Sequence, residues 1–129
     1  MPEHLVIETT VLIDYRRQVE SAKVVVDKVV RKGAAVVHPV SVAEVLDGAI
    51  NQRHMLDSVR FLSPFPRLPV KSSDHERTIL CMVEHHLSHG IGWPDCLIAA
   101  TCIRLGLPLV TLNDKHFRAI PGMRVIRPY

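Results

Sequence analysis

Apolar residues along this chain alternate between two spacings. Short apolar runs at residues 5–7, 34–37, 68–71, 107–111 and 123–126 predict buried strands. Between them, apolar residues recur at the i, i+3, i+4 spacing of an amphipathic helix, most regularly over residues 22–30. Strands that alternate with helices are typical of a parallel sheet covered on both faces. The pattern predicts an α/β protein with a three-layer α/β/α fold and roughly five parallel strands, in a single domain over residues 1–129.

Helices are predicted between these strands from their start and stop residues. They begin near residue 11, and then cover residues 21–32, 42–63, 72–89 and 94–105. Thr9 and Thr10 are expected to cap the first helix, and Gly90 and Gly106 to end the last two. In the helix at 72–89 the predicted inner face consists of Ile79, Met82, Val83, His86 and Leu87, with His86 as a packed core histidine.

Acidic residues stand where the predicted elements change. Glu8 directly follows the first strand, and Asp114 follows the strand at 107–111. Asp95 begins a helix, and Glu44 lies on the polar side of another, facing solvent or a cleft. In parallel sheets, sites lie outside the carboxyl ends of the strands. Glu8, Glu44, Asp95 and Asp114 are therefore candidates for one shared site at that edge.

Carboxylates that converge repel one another unless a cation neutralises them. Mg²⁺ and Mn²⁺ prefer oxygen ligands, and such a metal can activate water and stabilise a phosphoryl transition state. Each acid also has a simpler explanation. Asp95 could interact only with a helix N-terminus, Asp114 could be a turn residue, and Glu44 could belong to a solvated face.

Composition limits the other possibilities. Hydrophobic residues make up 47% and aromatic residues only 5%, so aliphatic side chains fill the core and base stacking is not expected to dominate nucleic-acid binding. The net charge of +3 does not by itself indicate a polyanionic partner. The three cysteines form no CxxC pair, and neither a signal peptide nor a membrane-spanning run is found. We therefore expect a soluble, cytoplasmic protein in a reducing compartment.

Four segments resemble the PIN-domain family, and within it the VapC-type toxins of toxin–antitoxin pairs. The family's opening is similar to LVIETTVLIDYRR, and the segment with its helix glutamate is similar to PVSVAEVLDGA. Its most diagnostic stretch is similar to WPDCLIAATCIRLGLPLVTLNDKHF, and its usual ending to IPGMRVIRPY. The resemblance covers nearly the whole chain and is weakest over residues 51–89.

This resemblance implies a function and a set of roles. Such domains imply a Mg²⁺- or Mn²⁺-dependent endoribonuclease, often homodimeric, that a partner antitoxin holds inactive. By position, Glu8 and Asp95 match the acids that chiefly bind metal, and Glu44 matches an acid that shapes the site. Asp114 or its neighbour Asn113 matches the fourth position. The implied reaction is attack by metal-activated water on an RNA phosphodiester bond.

Three positions depart from the family pattern. The family's first acid is almost always Asp, whereas this chain has Glu8, and a displacement of about 1 Å can cost roughly 10²-fold in rate. Asn113, not Asp114, stands at the usual fourth position. Thr10 replaces a commoner Asn or Ser, although its hydroxyl can still donate a hydrogen bond to a metal-binding side chain. An alternative function is therefore a catalytically weakened PIN-fold module that binds a partner or RNA without cleavage.

Two other groups of side chains are candidates for binding. One lies along a helix edge and would be either a soft-metal site or ordinary surface: Cys81, His85 and His89. The other lies near the candidate acids and would either attract RNA phosphates or be solvated: Arg16, Arg17, Lys115 and Arg118. His116 could contact phosphate or be a plain loop residue.

Overall fold

The architecture is taken from a computed structural model, which describes residues 3–129. Its strands are β1 (Leu5–Ile7), β2 (Ala35–Val36), β3 (Leu109–Val110) and β4 (Val125–Ile126). Its helices are α1 (Thr9–Arg16), α2 (Glu20–Arg31), α3 (Pro39–Asp47), α4 (Gln52–Leu62), α5 (Ser72–His89), α6 (Trp93–Leu105) and α7 (Asp114–Arg118). None of the helices within this range is both long and apolar enough to cross a membrane.

The four strands form one parallel sheet in the order β2-β1-β3-β4. Successive strand residues point to opposite faces, so each strand contributes to two cores. Val6 and Leu109 pack on one face with residues of α5, α6 and α7, including Phe117. Ile7 and Val110 pack on the other face with residues of α1, α2 and α3. The predicted three-layer α/β/α fold is therefore confirmed.

Several predicted element ends are also found. Gly90 and Gly106 follow α5 and α6 with φ values of 69° and 66°, the left-handed conformation that glycine adopts without a steric cost. Pro39 is the first residue of α3, where a missing N–H costs no hydrogen bond. The cap of α1 is Glu8 rather than a threonine, because the Glu8 carboxylate accepts the N–H of Thr10.

The prediction of five strands was wrong by one within residues 3–129. Residues 68–71 form no strand, and only an isolated bridge joins Val37 to Arg67 at that edge. Prolines at 64, 66 and 69 lack the N–H donors that a strand needs, which accounts for the interrupted pairing. The predicted helix over residues 42–63 is also two helices, because the Asn51 side chain caps a new start by accepting the N–H of His54.

The predicted inner face of α5 was wrong. Its buried residues are Asp74, Thr78 and Cys81. Three of the residues expected inside are exposed instead: Ile79, Val83 and Leu87. His86 is not a core histidine, since it lies exposed near the end of α5 with Nδ1 2.8 Å from the carbonyl oxygen of Ile91. The helix turns its polar Asp74 inward because a charged partner, Arg104 on α6, is available there.

Candidate active site

Glu8 lies at the carboxyl end of β1, where the chain turns into α1, and only 3% of the residue is exposed. One carboxylate oxygen, Oε1, accepts three hydrogen bonds. Thr10 donates its N–H over 3.2 Å and its hydroxyl over 2.6 Å, and Thr111 donates its hydroxyl over 2.6 Å. Within residues 3–129 no protein group donates to the second oxygen, Oε2. The side chain is thus fixed through one oxygen and can bind a ligand through the other.

Glu44 is held beside Glu8 by the intervening Thr9. Thr9 follows Glu8 in sequence, and its hydroxyl donates to Oε1 of Glu44 over 2.7 Å. Desolvation raises the pKa of the Glu44 carboxyl, the hydrogen bond from Thr9 opposes that rise, and the charges of Glu8 and Asp95 add to it. Because the charges of Glu8 and Asp95 both act on Glu44, the helix α3 that carries it borders the same site as the end of β1.

Asp95 completes this group from the first turn of α6. Its pKa is raised mainly by desolvation and then by the charge of Glu8, while His116 lowers it. Nδ1 of His116 lies 3.7 Å from an Asp95 carboxylate oxygen. His116 therefore faces a site acid from α7 rather than standing alone in a loop.

Glu8, Glu44 and Asp95 thus form an oxygen-rich group with unbalanced negative charge. Oxygen donors of this kind fit a hard divalent cation, and Mg²⁺ in particular is often bound through one or two carboxylates plus waters. Within the part of the chain that the structure describes, no three Asp, Glu, His or Cys side chains are placed so that together they could hold a metal ion. The three carboxylates therefore suit a divalent cation by their chemistry and are not a preformed set of ligands.

Asp114 is placed differently from the other three acids. It begins α7, and its carboxylate accepts a hydrogen bond from Arg127 over 2.9 Å while Arg118 lies 3.6 Å away. The hydrogen bond from Arg127 is the main cause that lowers the pKa of Asp114. The charges that act on it are arginines and not the site carboxylates. Asn113 caps α7 through its backbone and donates its N–H to the Thr111 hydroxyl over 2.9 Å.

Sequence reasoning missed two hydroxyl residues that organise the site. Thr9 holds Glu44, and Thr111 joins Glu8 to the loop after β3. Thr111 is fully buried, as a hydroxyl with good partners can be. The available signal was position, since Thr111 directly follows β3 and Thr9 lies two residues after β1, on the edge of the sheet where sites form.

The other candidate residues have different environments. Arg16 donates a hydrogen bond to the Ser58 hydroxyl and lies over the Phe61 ring, whereas Arg17 and Lys115 are exposed. The edge of α5 does not form the alternative soft-metal site. Cys81 contacts the thiol of Cys96 on α6 instead, and His89 is exposed at the helix end.

Comparison with known proteins gives this arrangement a family. The PIN domain family model matches residues 5–123. Ribonuclease VapC1 of Rickettsia felis is 30% identical over 132 residues, which is 95% of this chain and 94% of that protein. A toxin–antitoxin complex from Klebsiella pneumoniae is 26% identical with a TM-score of 0.75, covering 97% of this chain and 98% of that chain. VapBC2 from Rickettsia felis, bound to a DNA fragment from its promoter, is 19% identical with a TM-score of 0.78, covering 95% and 96%. The resemblance seen in the sequence is confirmed, and the chain belongs to the PIN-domain family, among its VapC-type members.

Proposed function

We propose that this protein is a Mg²⁺- or Mn²⁺-dependent endoribonuclease that hydrolyses RNA phosphodiester bonds, as the toxin of a toxin–antitoxin pair. The observation that carries the proposal is the group of three carboxylates, Glu8, Glu44 and Asp95, which come from separate elements. Desolvation raises the pKa of Glu44 and of Asp95, and the negative charge of Glu8 adds to both rises. Such repulsion persists in a fold when a cation relieves it. The name of the relative, Ribonuclease VapC1, supports RNA as the substrate class.

In this proposal each acid has a defined task. Glu8, whose Oε2 accepts no hydrogen bond within residues 3–129, and Asp95 would hold the metal. Glu44, oriented by Thr9, accepts a hydrogen bond from the attacking water and directs it to the phosphorus. When bound, the cation supplies activation of water and neutralisation of the charge that develops on the phosphate. Asp114, anchored by Arg127, serves as the fourth acid at the edge of the site, next to Asn113.

The proposal includes two protein partners. An antitoxin is supported by the solved relatives, which include a toxin–antitoxin complex and VapBC2. A homodimer is supported by the exposed apolar side chains of α5, because a soluble monomer rarely exposes a contiguous apolar surface. These side chains are Ile79, Leu80, Val83 and Leu87.

The proposal is tested by a cleavage assay on mixed RNAs with Mn²⁺ and Mg²⁺. Native protein should cut, and Asp95→Asn should lose roughly 10²-fold or more of the rate because a charged site group becomes neutral. Asp47→Asn is a matched control, since Asp47 is an exposed acid at the end of α3. Native protein that binds RNA but cuts with neither metal would favour the alternative, a weakened PIN-fold module that binds without cleavage.

Metal binding can be measured without activity. A ligand that binds only the folded state stabilises it by about 2.7 kcal/mol at a concentration 100 times its Kd. Mn²⁺ should therefore raise the melting temperature of native protein and of Asp47→Asn. It should not raise that of Asp95→Asn, and an equal rise in this variant would place the metal elsewhere.

A further inference from the structure

Two of the three cysteines meet in the interior, between α5 and α6. The sulfur of Cys81 on α5 lies 2.8 Å from the sulfur of Cys96 on α6, and both residues are buried. Both are free thiols. Cys102, the third cysteine, is also free and buried on α6, which makes it a natural control. The fold thus brings together one pair of thiols that are 15 residues apart in sequence.

A surface cavity gives small molecules access to Cys81, the more exposed thiol of this pair. The cavity holds about 160 Å³, and Cys81 and Cys96 both line it. Its other walls include Arg77, Glu84, His85 and Pro121. A water molecule occupies roughly 30 Å³ in the liquid, so a molecule the size of hydrogen peroxide has room to reach Cys81, which is 9% exposed, whereas Cys96 is 0% exposed.

The pair also lies next to the candidate active site along the chain. Cys96 directly follows Asp95, in the first turn of α6. Cys81 lies on α5, which packs against α6. A bond between the two sulfurs would therefore tie the turn that carries Asp95 to a neighbouring helix.

We propose that Cys81 and Cys96 are a redox modification site, which a peroxide-class oxidant converts reversibly to a disulfide. The sulfur of Cys81 attacks one peroxide oxygen, the O–O bond breaks, and Cys81 becomes a sulfenic acid with release of one water. The sulfur of Cys96 then attacks the Cys81 sulfur, the S–O bond breaks, and the thiol proton leaves with hydroxide as a second water. Two thiols lose two electrons in total, and one hydrogen peroxide is reduced to two waters.

The disulfide has a consequence for activity, and this part rests on the proposed ribonuclease function. A disulfide requires S–S bonding at about 2.05 Å, so the first turn of α6 must move towards α5. Asp95 moves with that turn, and a misplacement of about 1 Å in a site can cost roughly 10²-fold in rate. The oxidised protein should therefore cleave RNA at least about tenfold more slowly, and a dithiol reductant should restore the rate.

The chemical part is tested on the native protein by mass spectrometry after hydrogen peroxide treatment. Intact mass should fall by two hydrogen atoms, one thiol should remain for alkylation under denaturing conditions, and a proteolytic digest should contain linked peptides carrying Cys81 and Cys96. Cys81→Ala and Cys96→Ala should prevent the change, whereas Cys102→Ala should retain it. Three alkylatable thiols after oxidation, or a link that involves Cys102, would overturn the proposal.

Two physical readouts complete the test. Because the disulfide restricts the unfolded chain, the oxidised native protein should melt at least roughly 5 °C higher than the reduced protein. Melting of the reduced variants shows whether each is folded. RNA cleavage by oxidised native protein should fall and recover with dithiothreitol, while Cys81→Ala keeps its rate under oxidant. A disulfide with unchanged cleavage would refute control of the site, whereas absent cleavage in the reduced protein would instead contradict the ribonuclease proposal.

Discussion

Acidification should destabilise this protein through one buried histidine, His38. The residue is fully buried and caps α3, the helix that carries Glu44. Its Nδ1 accepts the N–H of Val40 over 3.0 Å, so in the neutral ring the proton sits on Nε2, which lies 3.0 Å from the Thr101 hydroxyl. A second proton on Nδ1 would face the N–H donor of Val40. Burial lowers the pKa of His38 to about 4, and the charge of Asp74 only partly opposes this.

The size of the effect follows from the two protonation states. In the unfolded chain His38 titrates near its ordinary pKa of 6.5, and in the folded protein near 4. As pH falls through this window the unfolded state binds a proton that the folded state does not, so stability is lost. At about 1.36 kcal/mol per pH unit, the full loss is roughly 3 kcal/mol, complete once the pH is below 4.

The assay compares the pH dependence of native protein with that of His38→Asn. Asparagine can still cap α3 but does not titrate, and it gives up the contact with Thr101 at a cost of about 1 kcal/mol. Urea unfolding followed by circular dichroism between pH 7 and 4 gives the free energy of unfolding for each. Native protein should be the more stable at pH 7 and lose that advantage as pH falls, so that the curves cross. Parallel curves would show that His38 is not buried in its neutral form.

Three further outcomes are expected. Arg104→Met should lower the free energy of unfolding by about 3 kcal/mol in the urea titration, because it leaves the Asp74 carboxylate buried without its ion-pair partner. The control Arg124→Met removes an exposed ion pair and should lower the free energy of unfolding by less than about 1 kcal/mol. Glu8→Asp should reduce Mn²⁺-dependent RNA cleavage roughly 10²-fold, because the shorter side chain cannot both keep its hydrogen bonds to Thr10 and Thr111 and reach the metal. A cleavage rate above that of native protein would show instead that the longer side chain of Glu8 impairs cleavage. Asp114→Asn should lower cleavage by less than Asp95→Asn in the same assay, and an equal loss would contradict its placement at the edge of the site.

Much of the fold follows from local pattern. The runs around β1, β2, β3 and β4 and the glycines after α5 and α6 are read within a few residues, because strand burial and helix ends depend on nearby sequence. The prediction of a strand at residues 68–71 was wrong because it also used only nearby sequence. The apolar residues there suit a strand, but the prolines at 64, 66 and 69 have no N–H to donate to a neighbouring strand.

The orientation of α5 could not be read locally. Its apolar stripe contains Ile79 and Val83, yet both are exposed. The opposite side is buried because Asp74 receives two guanidinium hydrogen bonds from Arg104 and one from the Thr101 hydroxyl. These partners are 27 and 30 residues away, and no periodicity within one helix can report them. The ion pair holds the pKa of Asp74 down to about 2, so the buried acid stays charged and the inward orientation is maintained at ordinary pH.

The length of the first acid is explained by the threonines around it. An aspartate after β1 would end its side chain one methylene sooner, away from the hydroxyl of Thr111 at the neighbouring strand end. Glu8 instead reaches a position where Thr10 and Thr111 both donate to the same oxygen, so the longer and more flexible side chain is fixed before any metal binds. If the proposed cation binds, fixing Oε1 in this way lowers the entropy that Glu8 must lose to ligate it through Oε2. The glutamate and its two threonines therefore act as one unit, and substitutions in it should be non-additive.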